Sequence, residues 1–306
     1  MKILLTTDGS VSSTTALRTA SRLLRKGGRE FEVICVAPKL NWPKTGGKPL
    51  KPKVARLHEQ YQHQITLEAQ KVLLHAQAQL AAEGITAKTL VESGSPARTI
   101  SQRALTYDVV VVGAHDRAAR GTRGLGAGLG HVASRVVAQA PNAVLVAREL
   151  AAERSIRVLI GVDGSQAAEQ ALRSFATWFN AESAEIVLLQ VIETPWLQLG
   201  LGRDWFGAPS QGDPATRYDR ELRGEAEEVV ETARQMLEEL GLSAQTQLAE
   251  GDPALELLSE AESGAYDLLV LGSSGESDLK HSLLGSVSAK VAQDAPCSVF
   301  IVRLHA

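Results

Sequence analysis

Short, almost wholly apolar runs recur along this chain, separated by longer stretches in which apolar residues return every three or four positions. In the second half, RVLIGV (157–162), EIVLLQVI (185–192), DLLVLG (267–272) and SVFIVR (298–303) are such runs. Strands of this kind are buried on both faces, as in a parallel sheet covered by helices. SAQTQLAE (243–250) alternates instead and predicts a half-exposed strand. Between the strands, Asp163-Gly164-Ser165 supplies a turn and a helix N-cap, and the helix runs to about Trp178. A helix over 215–240 ends at Gly241, another opens at Asp252-Pro253, and a short one spans 286–294. The segment 194–214, rich in Gly and Pro, reads as a loop. The first half follows the same plan, with strands near 2–6, 32–37, 86–91, 108–113 and 143–148 and an amphipathic helix near 57–83. Its loop, 38–56, carries four prolines and five lysines, and Glu149–Arg154 is a short linker. Strand–helix alternation predicts an α/β fold with parallel sheets, whose ligands bind beyond the carboxyl ends of the strands.

The two halves share more than a plan. VLIGVDGS (158–165) answers LLTTDGS (4–10), and Asp163 lies 155 residues after Asp8. LGSVSAKVAQDAPCSVFIVR (284–303) answers LGHVASRVVAQAPNAVLVAR (129–148) at the same offset. YDLLVLGS (266–273) matches YDVVVVGA (107–114), and GDPALEL (251–257) matches GSPARTI (94–100). A period this long is a duplicated domain, because solenoid repeats run roughly 20–50 residues. The expected domains are 1–148 and 155–306.

Composition adds three points. The chain is 44% apolar and 22% charged, as expected of a globular protein. The opening MKILLTTDGS has no signal-peptide pattern, no run approaches the roughly 20 residues of a membrane helix, and the two cysteines, Cys35 and Cys297, lie in β-rich apolar stretches. A cytoplasmic home with buried thiols and no membrane contact is the expectation. Residues 1–150 carry 21 Lys+Arg against 10 Asp+Glu, a net +11, whereas residues 151–306 carry 11 against 25, a net −14. Opposite fields favour docking of sister domains, or head-to-tail contact with a second copy of the chain. The basic half lacks the aromatic platform of a single-strand nucleic-acid binder, which argues against nucleic acid.

One motif carries chemistry. After DLLVLG the chain reads Gly272-Ser273-Ser274-Gly275, and nine residues later Gly285-Ser286 opens a helix: G-x-x-G-x9-G-S. Glycines permit close backbone approach and positive φ, and successive N–H groups at a helix start converge on anionic oxygens. The bland reading is a glycine-rich turn kept for packing. The first copy departs from the pattern. Gly113 matches Gly272, but Asp116 replaces Gly275, His131 replaces Ser286, and the Gly113–Gly130 loop is four residues longer. Arg117, Arg120 and Arg123 in that loop read as a solvated basic segment, with side-chain anion binding as the alternative. Asp8 reads as a cap on the first helix.

With these motifs the chain resembles a tandem universal stress protein, two fused domains covering essentially all 306 residues. The resemblance implies two doubly wound domains of the adenine nucleotide alpha hydrolase-like type, each with five parallel strands in the order 3-2-1-4-5, paired through their last strands. In this family the G-x-x-G-x9-G-S/T pattern marks members that bind ATP. The matching positions here are Val162, Asp163, Val191, Leu271, Gly272, Gly275, Gly285, Ser286 and Val287. By resemblance Asp163 bonds the ribose or adenine edge, Val191 and Leu271 help enclose the base, and the glycines with Ser286 hold phosphates. The implied ligand is ATP with Mg²⁺, bound mainly by the second domain as a regulatory or conformational switch in a stress response. Nothing in the sequence supplies a committed general base, a catalytic triad or a set of metal ligands, so weak hydrolysis is the most enzymatic reading. The alternatives are a dimerisation and partner-docking module without physiological nucleotide, and a slow ATPase.

Overall fold

The computed structural model describes residues 1–24, 27–40, 52–114, 128–150, 155–193, 214–275 and 284–304. The chain divides into two compact units, one formed chiefly by residues up to Arg148, the other by Glu149 onward. The first comprises β1 (Lys2–Thr6), α1 (Val11–Leu23), β2 (Glu30–Pro38), α2 (Pro52–Ala82), β3 (Ala87–Gly94), α3 (Pro96–Ala104), β4 (Val109–Gly113), α4 (His131–Gln139) and β5 (Ala143–Ala147). The second comprises β6 (Arg157–Gly161), α5 (Gln166–Trp178), β7 (Glu185–Ile192), α6 (Pro214–Glu239), β8 (Ala244–Glu250), α7 (Pro253–Ser263), β9 (Leu268–Gly272), α8 (Ser286–Asp294) and β10 (Ser298–Val302).

Within each unit the strands are parallel and follow one order: β3-β2-β1-β4-β5 in the first, β8-β7-β6-β9-β10 in the second. Each is the expected 3-2-1-4-5. The first strand of each unit lies at the centre, and the chain crosses over it after finishing one edge. Strand order therefore reverses between β1 and β4, and between β6 and β9, where open α/β sheets bind ligands.

The aliphatic runs are central because they are apolar on both faces. Leu4, Leu5, Val110, Leu159, Ile160, Leu269 and Val270 are all fully buried. The alternating β8 is half-exposed and forms an edge. In the second unit α5 and α6 pack together against β7–β10, while α7 and α8 pair with each other. Local chemistry sets the helix ends. Asp252 Oδ1 accepts from Leu255 N at 2.9 Å, with Pro253 at the first helical position. Gly241 takes φ +80° just past α6, a conformation that favours glycine.

Two boundaries differ from expectation. β3 continues to Gly94, three residues past the predicted end, because it stays in register with β2 through Pro38↔Gly94. α2 begins at Pro52 rather than near 57, since a first helical position needs no backbone N–H and so tolerates proline. The remainder of the 38–56 segment (41–51), most of the 194–214 segment (194–213) and linker residues 151–154 lie outside the described residues. Among the described residues no helix is long and apolar enough to cross a membrane.

The central strand of the second unit carries a direct test of this packing. Leu159→Ala removes a fully buried side chain from β6 and is expected to destabilise that unit by about 2–5 kcal/mol in urea unfolding; a loss below about 1 kcal/mol would contradict the assigned core.

Candidate functional site

The site is built where β6 and β9 end. Beyond β6, Val162 stays buried and its N–H donates to Leu189 O at 3.0 Å, extending the sheet by one residue. The chain then turns. Gly164 takes φ +76°, and a Cβ there would approach Val229 Cγ2 of α6 to 3.2 Å, so glycine is favoured twice over. Asp163 Oδ1 accepts from Ser165 N at 3.0 Å and from Ser165 Oγ at 2.6 Å, while Ser165 Oγ caps α5 by accepting from Ala168 N at 3.2 Å. One carboxylate oxygen thus orders the turn. The other, Oδ2, faces Gly275: a Cβ on Gly275 would lie 2.9 Å from it.

The end of β9 is held from three sides. Gly272 meets the first turn of α5 so closely that a Cβ would lie 2.7 Å from the Ala167 carbonyl carbon. Ser273 N donates to Val302 O at 2.8 Å, and Ser273 O accepts from Gly285 N at 2.7 Å, which closes the loop between them. Ser288 Oγ donates to Gly272 O at 2.6 Å, fixing α8 to the strand end. Gly285 is the N-cap of α8 with φ −63° and no side chain to offer, so the first-turn amides of α8 have no side-chain cap. These amides sit at the positive end of the helix, which favours anions. Ser273 Oγ is buried at 1% exposure and has no hydrogen-bond partner among the described residues.

The predicted residues take distinct places. Asp163 and Gly275 are brought directly together, and Gly272 and Gly285 are joined through Ser273 and Ser288. Ser286 is exposed at the first position of α8, and Val287 beside it is half-buried. Val191 is half-buried near the end of β7, opposite Ala249. Leu271 is buried, and its Cδ2 would lie 2.5 Å from a Cβ on Gly161, so it packs over β6. None of Gly272, Gly275 and Gly285 uses positive φ; that conformation belongs to Gly164 and its counterpart Gly9. Gly272 is glycine for packing, and so is Gly113, where a Cβ would lie 2.7 Å from Ser12 O. The sequence does not single out Ser288, and in it Ser273 reads as an exposed loop serine able to face phosphate, whereas the structure buries it. The available signal was that Ala133 and Ala114 hold these positions in the first copy.

The first unit keeps the turn but not the rest. Ser10 N donates to Asp8 Oδ1 at 3.0 Å, and Ser10 Oγ accepts from Ser13 N at 3.2 Å, so Ser10 caps α1 and Asp8 orders the turn ahead of it. Desolvation alone would raise the Asp8 carboxyl, but hydrogen bonds from Ser10 and Ser13 outweigh it and hold the group below its ordinary value. Burial, with the Asp8 charge adding, pushes the Cys35 thiol up to about 11. Cys35 and Cys297 are both buried, and neither forms a disulfide. Asp116, Arg117, Arg120 and Arg123 lie outside the described residues.

A model of the universal stress protein family matches the chain twice, over residues 1–148 and 156–303. The chain belongs to the universal stress protein family. Universal stress protein YxiE of Bacillus subtilis is 33% identical over 147 residues, covering 48% of this chain and 98% of YxiE. A universal stress protein of Mycolicibacterium smegmatis is 28% identical over 323 residues, covering 98% of this chain and 96% of its own. The crystal structure of a universal stress protein from Archaeoglobus fulgidus matches 99% of this chain and 98% of its own, with a TM-score of 0.66 at 19% identity, which shows a shared fold.

In this universal stress protein the close contact at Gly272 has a measurable consequence. Gly272→Ala forces a methyl group against the backbone of α5 and is expected to cost about 1–3 kcal/mol in chemical denaturation. Gly113→Ala is expected to cost the first unit a similar amount. A Gly272→Ala protein as stable as the parent would contradict the packing role.

Proposed function

We propose that the second unit of this universal stress protein binds ATP, with Mg²⁺ arriving on the phosphates, and that the nucleotide acts as a regulatory ligand in a stress response. The observation that carries this reading is the close, side-chain-free approach of Gly275 to Asp163. Gly275 approaches Oδ2 without a side chain, whereas the sequence of the first copy has Asp116 at the matching position, a second carboxylate whose charge opposes anionic phosphates. The uncapped amides of α8, the exposed Ser286 hydroxyl and the unpartnered Ser273 hydroxyl supply donors suited to phosphate oxygens. Asp163 Oδ2 supplies an acceptor for a nucleoside hydroxyl or amine, and Val162, Val191 and Leu271 are apolar positions near the strand ends. Gly272 and Val287 contribute by placing the loop and the helix start.

The bound triphosphate would bring charge and its metal ion to the junction of β9 and α8. The chain's own residues bind and orient it. Asp163 Oδ1 is engaged twice by Ser165, which suits a positioning carboxylate better than a general base, so we place regulation ahead of turnover. The opposite charges of the two halves, +11 and −14, support sister-domain docking and contact with a second copy as the accompanying assembly. We assign the protein to the cytoplasm on the same reading.

Calorimetric titration of the full-length chain with Mg-ATP is expected to give one site per chain, abolished by Gly275→Asp. Saturation at about 100 times Kd is expected to add about 2.7 kcal/mol of stability. Two equivalent sites, or unchanged binding by Gly275→Asp, would overturn the assignment to the second unit.

A further inference from the structure

The two units differ at the opposite, amino-terminal edge of the sheet. In the second unit Arg157, the first residue of β6, lays its guanidinium over the Tyr266 ring, 4.9 Å from the centroid. Its Nε lies 3.2 Å from Glu185 Oε2, and a terminal nitrogen donates to the Gly264 carbonyl. The guanidinium therefore has an aromatic face, a carboxylate and a carbonyl around it.

The first unit repeats this frame without the arginine. Lys2 stands in register with Glu30 as Arg157 does with Glu185. Lys2 N donates to Asp108 Oδ2 at 2.6 Å, and Arg157 N donates to Asp267 Oδ2 at 2.9 Å. Tyr107 precedes Asp108 as Tyr266 precedes Asp267. A lysine cannot present a planar fork to this surface, and among the described residues the Lys2 ammonium makes no hydrogen bond or ion pair. A cleft of about 100 Å³ remains, lined among others by Lys2, Glu30, Glu32, Lys88 and Tyr107. Its second carboxylate comes from a different element: Glu32 of β2 stands where the second unit has Val187, whereas there the Tyr266 hydroxyl donates to Glu260 of α7 at 3.0 Å. Tyr107 Oη donates to Glu32 Oε2 at 2.7 Å, so that ring is held in place. Burial first, and the Glu32 bond second, push the Tyr107 phenol well above its ordinary range, so it remains the donor in that bond. Glu30 meets Lys88 only loosely, at 3.9 Å between exposed side chains, and the nearby Arg103 is bonded to Glu92, its charge also reaching Tyr107 and Glu32.

We propose that this cleft binds a guanidinium group from outside the chain, a small organic cation seated between Tyr107 and the Glu30 and Glu32 carboxylates as Arg157 is seated in the second unit. The ring face attracts the cation, and the carboxylates accept from its N–H fork. A guanidinium matches both features and an ammonium matches neither as well. The cleft belongs to the first unit and the nucleotide site to the second, so it stands or falls independently.

Methylguanidinium is the probe, titrated onto the full-length chain and read by calorimetry and by the Tyr107 ring resonances. The expected result is one saturable site with Kd of about 1 mM or tighter, with methylammonium about tenfold weaker. Lys2→Arg gives the chain its own guanidinium, which is expected to fill the cleft, weaken methylguanidinium binding about tenfold or more and raise Tm. Glu32→Val installs the residue found at the matching position of the second unit and is expected to weaken binding as well. Absence of saturable binding, equal binding of methylammonium, or unchanged affinity in Lys2→Arg would overturn the proposal.

Discussion

In each unit the end of the fourth strand meets the first turn of the first helix so closely that no side-chain carbon fits between them. The contact is made by Gly113 against Ser12 and by Gly272 against Ala167. It fixes where the loop after the strand begins. In the second unit the Gly285–Ser273 and Ser288–Gly272 hydrogen bonds then fix where that loop ends. The Asp163 turn, built on Gly164 at positive φ, is anchored to α6 on the other side. A candidate phosphate site is thus defined by backbone held in place by packing, with few side chains needed at its centre. Such a site is preorganised, because its donors are positioned before any ligand arrives.

Most of the fold was legible because strands buried on both faces must be apolar throughout, and this chain writes eight of its ten strands that way or nearly so, the exceptions being β3 and β8. The duplication made the reading doubly constrained. The beginning of α2 was hidden by the lysine- and proline-rich composition around 38–56, which resembles a loop even where Pro52 opens a helix. The site was legible as a spacing, but not as a set of roles. A pattern of glycines does not say which atom lies opposite each one. Gly272 faces a helix backbone, Gly275 faces a carboxylate, and Gly285 ends a turn as an N-cap. Positive φ was expected within the motif and lies instead in the Asp-Gly-Ser turns. Ser288 escaped notice and Ser273 read as an exposed loop serine because serine near a turn is common, and their meaning depends on burial and on a bond across sixteen residues.

Duplication left two copies of one backbone that have diverged at both ends of their sheets. At the carboxyl end the second copy keeps glycine beside its turn aspartate, while the first has the acidic Asp116 at the matching position. At the amino end the second copy covers its tyrosine with its own arginine, while the first leaves a cleft. The Gly-for-packing contact is the same in both. Shared features therefore report the fold, and the differences between the copies are what the two binding proposals rest on.

The central claim is that the backbone at the β9–α8 junction receives the phosphates and that its counterpart in the first unit does not. Amide hydrogen exchange measured with and without saturating Mg-ATP reads that backbone directly. The account expects slowed exchange at residues 273–275 and 285–289, with residues 113–114 and 130–134 unchanged. Equal slowing in both units, or no slowing at either junction, would contradict it.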